Sequence, residues 1–224
     1  NEDTEHVFSA SEFNFSDADD SGSLNKIKIT SLEDNGALQY YNGTAWVNVT
    51  LNQEITATDI ANNKLRFKPD ANENGSSYTS FAFQVSDGTA YSSSSYTMTV
   101  NVTAVNDAPT ATNDNGSVNE DATLTVSTAS SGVTQDNDTD PDADDTASTL
   151  VVNQITPNGG SASSVSSGTT YSNGTSVAGT YGTLTIGANG TYTYVANLSA
   201  ADDLDAGDIA TDVFTYRVTD TTGA

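Results

Sequence analysis

The segment Thr103–Asp114, TAVNDAPTATND, lies near the middle of the chain, between two stretches that both have the composition of β-strands. Pro109 lacks a backbone N–H and restricts its own φ, and it biases Ala108 towards extended geometry. A strand inside a sheet therefore cannot continue unbroken through this point. The Asn and Asp residues around the proline supply both turn chemistry and oxygen atoms, so the segment predicts a joint between two domains.

Strand patterns dominate on both sides of this joint, and helical periodicity is nearly absent. Leu38–Val49 is two β-rich runs around Asn42-Gly43, which is a strong hairpin signal because both residues tolerate positive φ. A second hairpin is predicted around Ala188–Gly190. Alternating apolar and polar residues predict further strands within Ser80–Gly88, Ser95–Val105 and Asp212–Asp220, and single helical turns are expected within Thr58–Asn63 and Leu198–Leu204.

Three acidic landmarks occur twice and in the same order, which indicates an internal repeat. The first half contains Asn1-Glu2-Asp3, Asp17-Ala18-Asp19 and Val85-Ser86-Asp87. The second half contains Asn119-Glu120-Asp121, the acidic run from Asp138 to Asp144, and Val218-Thr219-Asp220. We therefore predict an all-β chain of two tandem β-sandwich domains, at 1–105 and 110–224, joined by a linker at 106–109, whose Asn and Asp oxygens make it a candidate calcium-binding linker.

Composition excludes several classes of protein. The 224 residues include 30 acidic and 6 basic side chains, for a net charge of −24, so the chain should repel nucleic acid and anionic membrane surfaces. It has no cysteine, which excludes disulfides and cysteine-based zinc sites. No apolar stretch approaches a membrane span, so membrane insertion is not expected. Abrupt ends suggest a piece of a longer protein.

The acidic turn at Asp17–Lys28 begins like an EF-hand loop, with Asp17, Asp19 and Ser21 at positions one, three and five and Gly22 at six. Position twelve is Lys28 where that loop needs a bidentate Glu, so the EF-hand interpretation fails. A D-x-D turn remains, and it is equally consistent with a calcium ligand pair and with a solvated acidic turn.

Enzyme motifs are absent from the sequence, and we expect no catalytic activity. His6 is the only histidine and lies in no recognisable motif, so it is expected to be structural. Trp46, Tyr40 and Tyr41 flank one predicted hairpin. They favour cross-strand packing, while stacking on a sugar ring, which would make the chain a polysaccharide-binding module, is the alternative function.

Several stretches together resemble a known family. VNEDATLTV, DTDPDADD and YRVTD in the second half, and FQVSDGTAYSSSSYTMTVNVTAVNDAPT (Phe83–Thr110) across the joint, resemble the bacterial cadherin-like and VCBS-type repeats of giant calcium-dependent, RTX-type surface adhesins. This resemblance implies calcium-stiffened extender modules of a secreted protein on the bacterial cell surface, exported by type I secretion. The implied partners are neighbouring repeats of the same polypeptide, with surface or matrix polysaccharide as a further candidate.

The resemblance also implies a set of calcium ligands. The interdomain ligands would be Glu2, Asp3, Asn106, Asp107, Asp138, Asp140 and Asp220, while Asp17, Asp19 and Asp87 would face a preceding domain and Glu120 a following one. Asp142 and Asp144 are equal alternatives to Asp138 and Asp140. The short VNDAP joint offers fewer ligands than the animal cadherin linker, so one or two ions per joint are expected.

The two halves end differently. After Asp87 the first half continues through the alternating strand SYTMTVNVTAV, whereas only Thr221–Ala224 follow Asp220. We therefore expect the second sandwich to lack its closing strand and to leave an open edge along Phe214–Val218, to which another strand would add.

Overall fold

The computed structural model describes residues 1–16 and 22–223. The chain forms two compact units, unit 1 at Asn1–Val105 and unit 2 at Asn106–Ala224. The boundary falls at the start of the predicted joint, and Asn106–Pro109 belong to unit 2. Each unit is built almost entirely of antiparallel strands, so the prediction of tandem all-β sandwiches is confirmed.

The described residues of unit 1 form eight strands in two sheets. They are β1 (His6–Val7), β2 (Lys26–Ser31), β3 (Ala37–Tyr41), β4 (Trp46–Asn48), β5 (Glu54–Thr56), β6 (Leu65–Lys68), β7 (Gly75–Ser86) and β8 (Tyr96–Val102). One sheet has the order β1-β6-β3-β4 and the other the order β5-β2-β7-β8. A 3-10 turn (Ala10–Phe13) and a short helix, α1 (Ala57–Ala61), connect them, and α1 overlaps one of the two helical turns expected from sequence.

The core of unit 1 forms because alternate residues of each strand face inward. Along β7 apolar and polar residues alternate in the sequence, and the apolar residues Phe81, Phe83 and Val85 are buried on the inner face of the sheet. Phe13 packs edge-on against Phe83, at 5.1 Å between ring centroids. The predicted hairpin is β3–β4. In its turn the side-chain oxygen of Asn42 accepts hydrogen bonds from the backbone N–H groups of residues 44 and 45, and Gly43 has a φ of +96°.

Unit 2 has seven strands among its described residues. They are β9 (Thr123–Val126), β10 (Val151–Pro157), β11 (Ser163–Ser164), β12 (Thr175–Ala178), β13 (Thr183–Ile186), β14 (Tyr192–Val195) and β15 (Phe214–Thr219). They form sheets of order β12-β13-β14-β9 and β11-β10-β15. A 3-10 turn (Ala129–Ser131) and the helix α2 (Ser199–Asp202) lie outside the sheets, and α2 falls within the second expected helical turn.

The core of unit 2 is smaller, with Val152, Ile155 and Ile186 among its most buried side chains. The predicted hairpin around Ala188–Gly190 is β13–β14, in which Ile186 lies opposite Tyr192. Gly190 takes a φ of +77° in its turn, a conformation that favours glycine.

The two units share an outer frame. In unit 1 the first strand, β1, pairs with β6, and the second strand, β2, pairs with β7. In unit 2 the first strand, β9, pairs with β14, and the second strand, β10, pairs with β15. The landmark residues Asp3 and Asp121 both have left-handed backbones, at φ of +58° and +60°. The middle strands are ordered differently, so the repeat is strongest in these outer elements.

Candidate functional site

Glu2, a predicted calcium ligand, is buried inside unit 1 with 1% of its surface exposed. Its carboxylate accepts hydrogen bonds from the backbone N–H of Val105 at 2.6 Å and from the side-chain amide of Asn74 at 3.2 Å. Both of these donors are electrically neutral groups. The neighbouring Asp3 is exposed and accepts from the backbone N–H of Asn72 at 3.2 Å.

Asp87 directly follows β7, and its side chain caps the next turn of the chain. One of its oxygens, Oδ1, accepts from the backbone N–H groups of Thr89 at 2.7 Å and Ala90 at 3.0 Å. The Ala90 and Thr89 hydrogen bonds lower the pKa of the Asp87 carboxyl from its ordinary value. The other two ligands predicted for this face, Asp17 and Asp19, lie outside the described residues.

In unit 2, part of the acidic run folds against the residues of the predicted joint. The backbone N–H of Asp107 donates to Asp142 Oδ2 at 2.8 Å, and the backbone N–H of Asp142 donates to Asp140 Oδ1 at 2.9 Å. The side-chain amide of Asn106 donates to Asp220 Oδ2 at 2.8 Å. We call the set Asn106, Asp107, Asp140, Asp142, Asp145 and Asp220 the linker-end cluster.

Carboxylates crowd one another in the linker-end cluster. Burial raises the pKa of Asp140, and the negative charges of Asp142, Asp145 and Asp220 raise it further, although a backbone hydrogen bond opposes them. Asp140 Oδ2 is buried and has no hydrogen-bond partner in the described residues. Asp145 and Asp220 are each 4% exposed. Arg217 is the only Lys or Arg in residues 106–224, so little positive charge is available to offset this repulsion.

The chemistry of this donor set suits a hard cation. Calcium takes six to eight oxygen ligands from carboxylates, amide carbonyls and backbone carbonyls, and the cluster offers carboxylate oxygens, an Asn side chain and a buried oxygen without a donor. The oxygens do not converge as they stand, because no group of three or more acidic or His side chains in residues 1–16 and 22–223 is placed to hold a metal ion. Binding would require side-chain rotation.

Asp138 does not lie with the linker-end cluster, where the sequence placed it, but next to a different set of residues. It is 2% exposed and accepts from the backbone N–H of Thr112 at 2.7 Å. The hydroxyl of Tyr216 lies 3.3 Å from both of its carboxylate oxygens and 2.9 Å from Asp114 Oδ2. Burial raises the pKa of Asp138 and also that of Asp114. The structure thus brings together Asn106, Asp107, Asp140 and Asp220 of the predicted set, and groups Asp138 with Asp114 and Tyr216.

The reason is the direction of the chain. Thr110 forms an antiparallel bridge with Thr139, so the segment after the joint runs opposite to the acidic run. Residues early in the run therefore lie near Thr112, and residues later in it lie near Asp107. This geometry selects Asp142, one of the alternatives left open by the sequence, as the neighbour of Asp107. Asp144, the other alternative, is exposed.

Sequence reasoning missed Asp145 and Asp114. Asp145 directly follows the acidic run, and its carboxylate accepts hydrogen bonds from the hydroxyls of Thr149 and Thr221, at 3.2 Å and 2.9 Å. Its burial is set by a contact across 76 residues of sequence, which no local spacing reveals. Asp114 stands at the end of the joint segment, where it looks like another turn residue.

The aromatic hairpin shows the packing that its sequence favoured. Trp46 lies opposite Tyr41 across β3–β4, with ring centroids 5.6 Å apart. The guanidinium carbon of Arg66 lies over the Trp46 ring, 4.1 Å from its centroid, so one face of that ring is covered. His6 hydrogen-bonds Glu12 at 2.7 Å, next to the 3-10 turn of unit 1.

Comparison with known families gives two matches that together span the chain. A family model described as a bacterial cadherin-like domain matches residues 106–224, and one described as cadherin-like matches residues 1–104. No curated protein and no solved structure matches the chain. No helix among the described residues is long and apolar enough to cross a membrane.

Proposed function

The chain belongs to the bacterial cadherin-like family, and we propose that it forms calcium-stiffened extender modules of a large RTX-type surface adhesin. Domains of this family act as adhesion or extender modules of extracellular or surface proteins, generally bind calcium and are typically non-enzymatic. The observation that supports the calcium role here is the linker-end cluster, in which Asp142, Asp145 and Asp220 crowd around Asp140 and the buried Oδ2 of Asp140 has no hydrogen-bond partner among the described residues.

Calcium would be held by oxygens of Asn106, Asp107, Asp140, Asp142 and Asp220. The ion supplies positive charge that offsets the repulsion around Asp140, and it gives the buried Oδ2 of that residue a partner. The ion would hold Asn106 and Asp107 against the acidic residues of unit 2 more firmly than the hydrogen bonds that their N–H groups now donate to Asp220 and Asp142. Glu2 and Asp3 remain candidate ligands from unit 1 by family resemblance.

Stiffening follows from where the cluster lies in the sequence. Asn106 and Asp107 are the first residues of unit 2, and they are hydrogen-bonded to Asp220 and Asp142 of the same unit. An ion that fixes Asn106 and Asp107 to the rest of unit 2 removes backbone freedom at the joint. The proposed partners are neighbouring repeats of the same polypeptide, and the proposed location is the bacterial cell surface, reached by type I secretion.

Thermal unfolding in calcium and in chelator tests the proposal. A ligand that binds only the folded form stabilises it by about 2.7 kcal/mol at one hundred times its Kd, and extracellular calcium modules bind at roughly 0.1–1 mM. We expect the Tm to rise clearly in millimolar calcium and less in magnesium, which demands stricter octahedral geometry.

Matched variants locate the site. Asp140→Asn should abolish most of the calcium-dependent rise in Tm, whereas Asp144→Asn, an exposed carboxylate of the same run, should retain it. Identical melts of the parent chain in calcium and in chelator would refute calcium binding. Equal losses in both variants would show that the run attracts cations only through its overall charge.

A further inference from the structure

Unit 1 shows what normally covers the last strand of the shared frame. Its β7 lies between β2 and β8, and β8 pairs with it so that Tyr96 lies opposite Phe83 and Met98 opposite Phe81. Under this cover Phe81 is 1% exposed and Phe83 is 5% exposed. The strand β8 therefore both completes the backbone ladder of β7 and closes that side of the core.

The strand β15 of unit 2 is the counterpart of β7. Val218 lies opposite Val152 as Val85 lies opposite Ile27, and in both units this valine is buried. The turns that follow are also alike, since Asp220 Oδ1 accepts from the backbone N–H groups two and three residues later, as Asp87 Oδ1 does.

The other side of β15 differs from that of β7. Among the strands of the described residues, β15 pairs with β10 alone. Phe214 and Tyr216, which match Phe81 and Phe83 in register, are only half-buried. An uncovered row of backbone donors and acceptors with half-buried aromatics beside it is a site for strand addition.

A second residue of unit 2 lacks the same cover. In unit 1 the residues that follow β8 bury the landmark Glu2, because Thr103 accepts from its backbone N–H at 2.9 Å and Val105 donates to its carboxylate at 2.6 Å. The matching landmark in unit 2, Glu120, is exposed. In unit 1 the segment formed by β8 and the residues after it both pairs with β7 and buries Glu2. In unit 2 the corresponding strand edge, on β15, and the corresponding glutamate, Glu120, are both uncovered.

We propose that unit 2 is a strand acceptor, which binds one extended segment with the sequence pattern of β8, antiparallel to β15. The Tyr96-like position of the segment lies opposite Tyr216, its Met98-like position lies opposite Phe214, and its end donates a backbone N–H to Glu120. The charge of the unit agrees with this occupant. Residues 106–224 carry one arginine and sixteen acidic residues, and a segment like β8, YTMTVNV, adds no further carboxylate.

A graft onto the full chain tests the proposal. Since Asp220 matches Asp87, a copy of residues 92–105 joined to Ala224 places a β8-like strand at the natural distance from the turn. We expect the Tm of unit 2 to rise by about 5 °C or more. Hydrogen exchange measured by mass spectrometry should slow by roughly tenfold over residues 213–219, where the open edge gains partners.

Two controls make the test specific. The same graft with proline at its Met98-like and Val100-like positions cannot pair as a strand, so it should leave Tm and exchange unchanged. Glu120→Ala should reduce the gain in Tm of the grafted chain while leaving the ungrafted chain within about 1 °C, since Glu120 is exposed there.

Three results would overturn the proposal. The graft and its proline control could protect residues 213–219 equally, Glu120→Ala could have the same effect with and without the graft, or exchange at 213–219 in the ungrafted chain could slow with rising protein concentration. The last result would mean that a second copy of the chain occupies the edge.

Discussion

At the scale of single residues, Asp212 shows how a carboxylate in this acidic chain becomes stabilising. It accepts hydrogen bonds from the backbone N–H groups of Thr180, Tyr181 and Gly182 at 2.7–3.1 Å, and from the Tyr194 hydroxyl at 2.6 Å. Burial raises the pKa of Asp212, but the hydrogen bonds from Tyr194 and the backbone outweigh it, so the pKa lies below its ordinary value.

The lowered pKa predicts a pH dependence with a definite sign. The folded state binds the Asp212 proton less tightly than the unfolded state does, so the stabilisation is present above the unfolded pKa, near 3.8, and is lost as pH falls through the lower folded value. Asp212→Asn should cost about 2 kcal/mol at pH 7. Urea unfolding from pH 7 to pH 2 should show the difference between parent and variant shrinking below pH 4. Asp203→Asn, which is exposed, is the control, and parallel curves for parent and Asp212→Asn would contradict the account.

At the scale of elements, the hairpin β3–β4 carries the residues of the rival, polysaccharide-binding function. Trp46 packs on Tyr41 and lies under Arg66, so its ring serves the fold of unit 1 on at least one face. Cross-strand aromatic pairs and cation–π contacts each contribute roughly 0.5–1 kcal/mol.

Trp46→Ala should therefore lower the stability of unit 1 by about 1–2 kcal/mol. Polysaccharide pull-down or glycan-array binding should be absent in the parent and unchanged in the variant. Val47→Ala, which removes an exposed side chain of the same strand, should cost little. Binding in the parent that disappears in Trp46→Ala would favour polysaccharide recognition.

Elements with local signals could be predicted from the sequence, and the pairing of distant acids could not. Asn42-Gly43 and Ala188–Gly190 mark hairpins because their turn chemistry lies within a few residues. By contrast, whether Asp138 or Asp142 lies beside Asp107 depends on the antiparallel bridge between Thr110 and Thr139, which no residue spacing encodes.

At the scale of the whole molecule, the proposed function depends on how firmly the first residues of unit 2 are attached to the rest of that unit. Unit 1 ends at Val105 and unit 2 begins at Asn106, whose side chain and successor bind the acidic residues of unit 2. Under the proposed function, repulsion among those carboxylates would weaken this attachment in the absence of calcium. Calcium would strengthen it and reduce the range of angles that the tandem can adopt.

Asp107→Ala should loosen the joint without unfolding either unit, since the core side chains of both units lie elsewhere. We expect circular dichroism and the two unfolding transitions to stay close to those of the parent. Limited proteolysis in calcium should cleave the variant near residue 107 faster than the parent. Equal cleavage rates would contradict a ligand role for Asp107.

Small-angle X-ray scattering of the full chain in millimolar calcium and in chelator tests the central claim most directly. The account predicts that calcium converts a broad distribution of interatomic distances, typical of two mobile units, into a narrow one with a defined maximum dimension, and that Asp107→Ala stays broad in calcium. Superimposable profiles of the parent chain with and without calcium would contradict it.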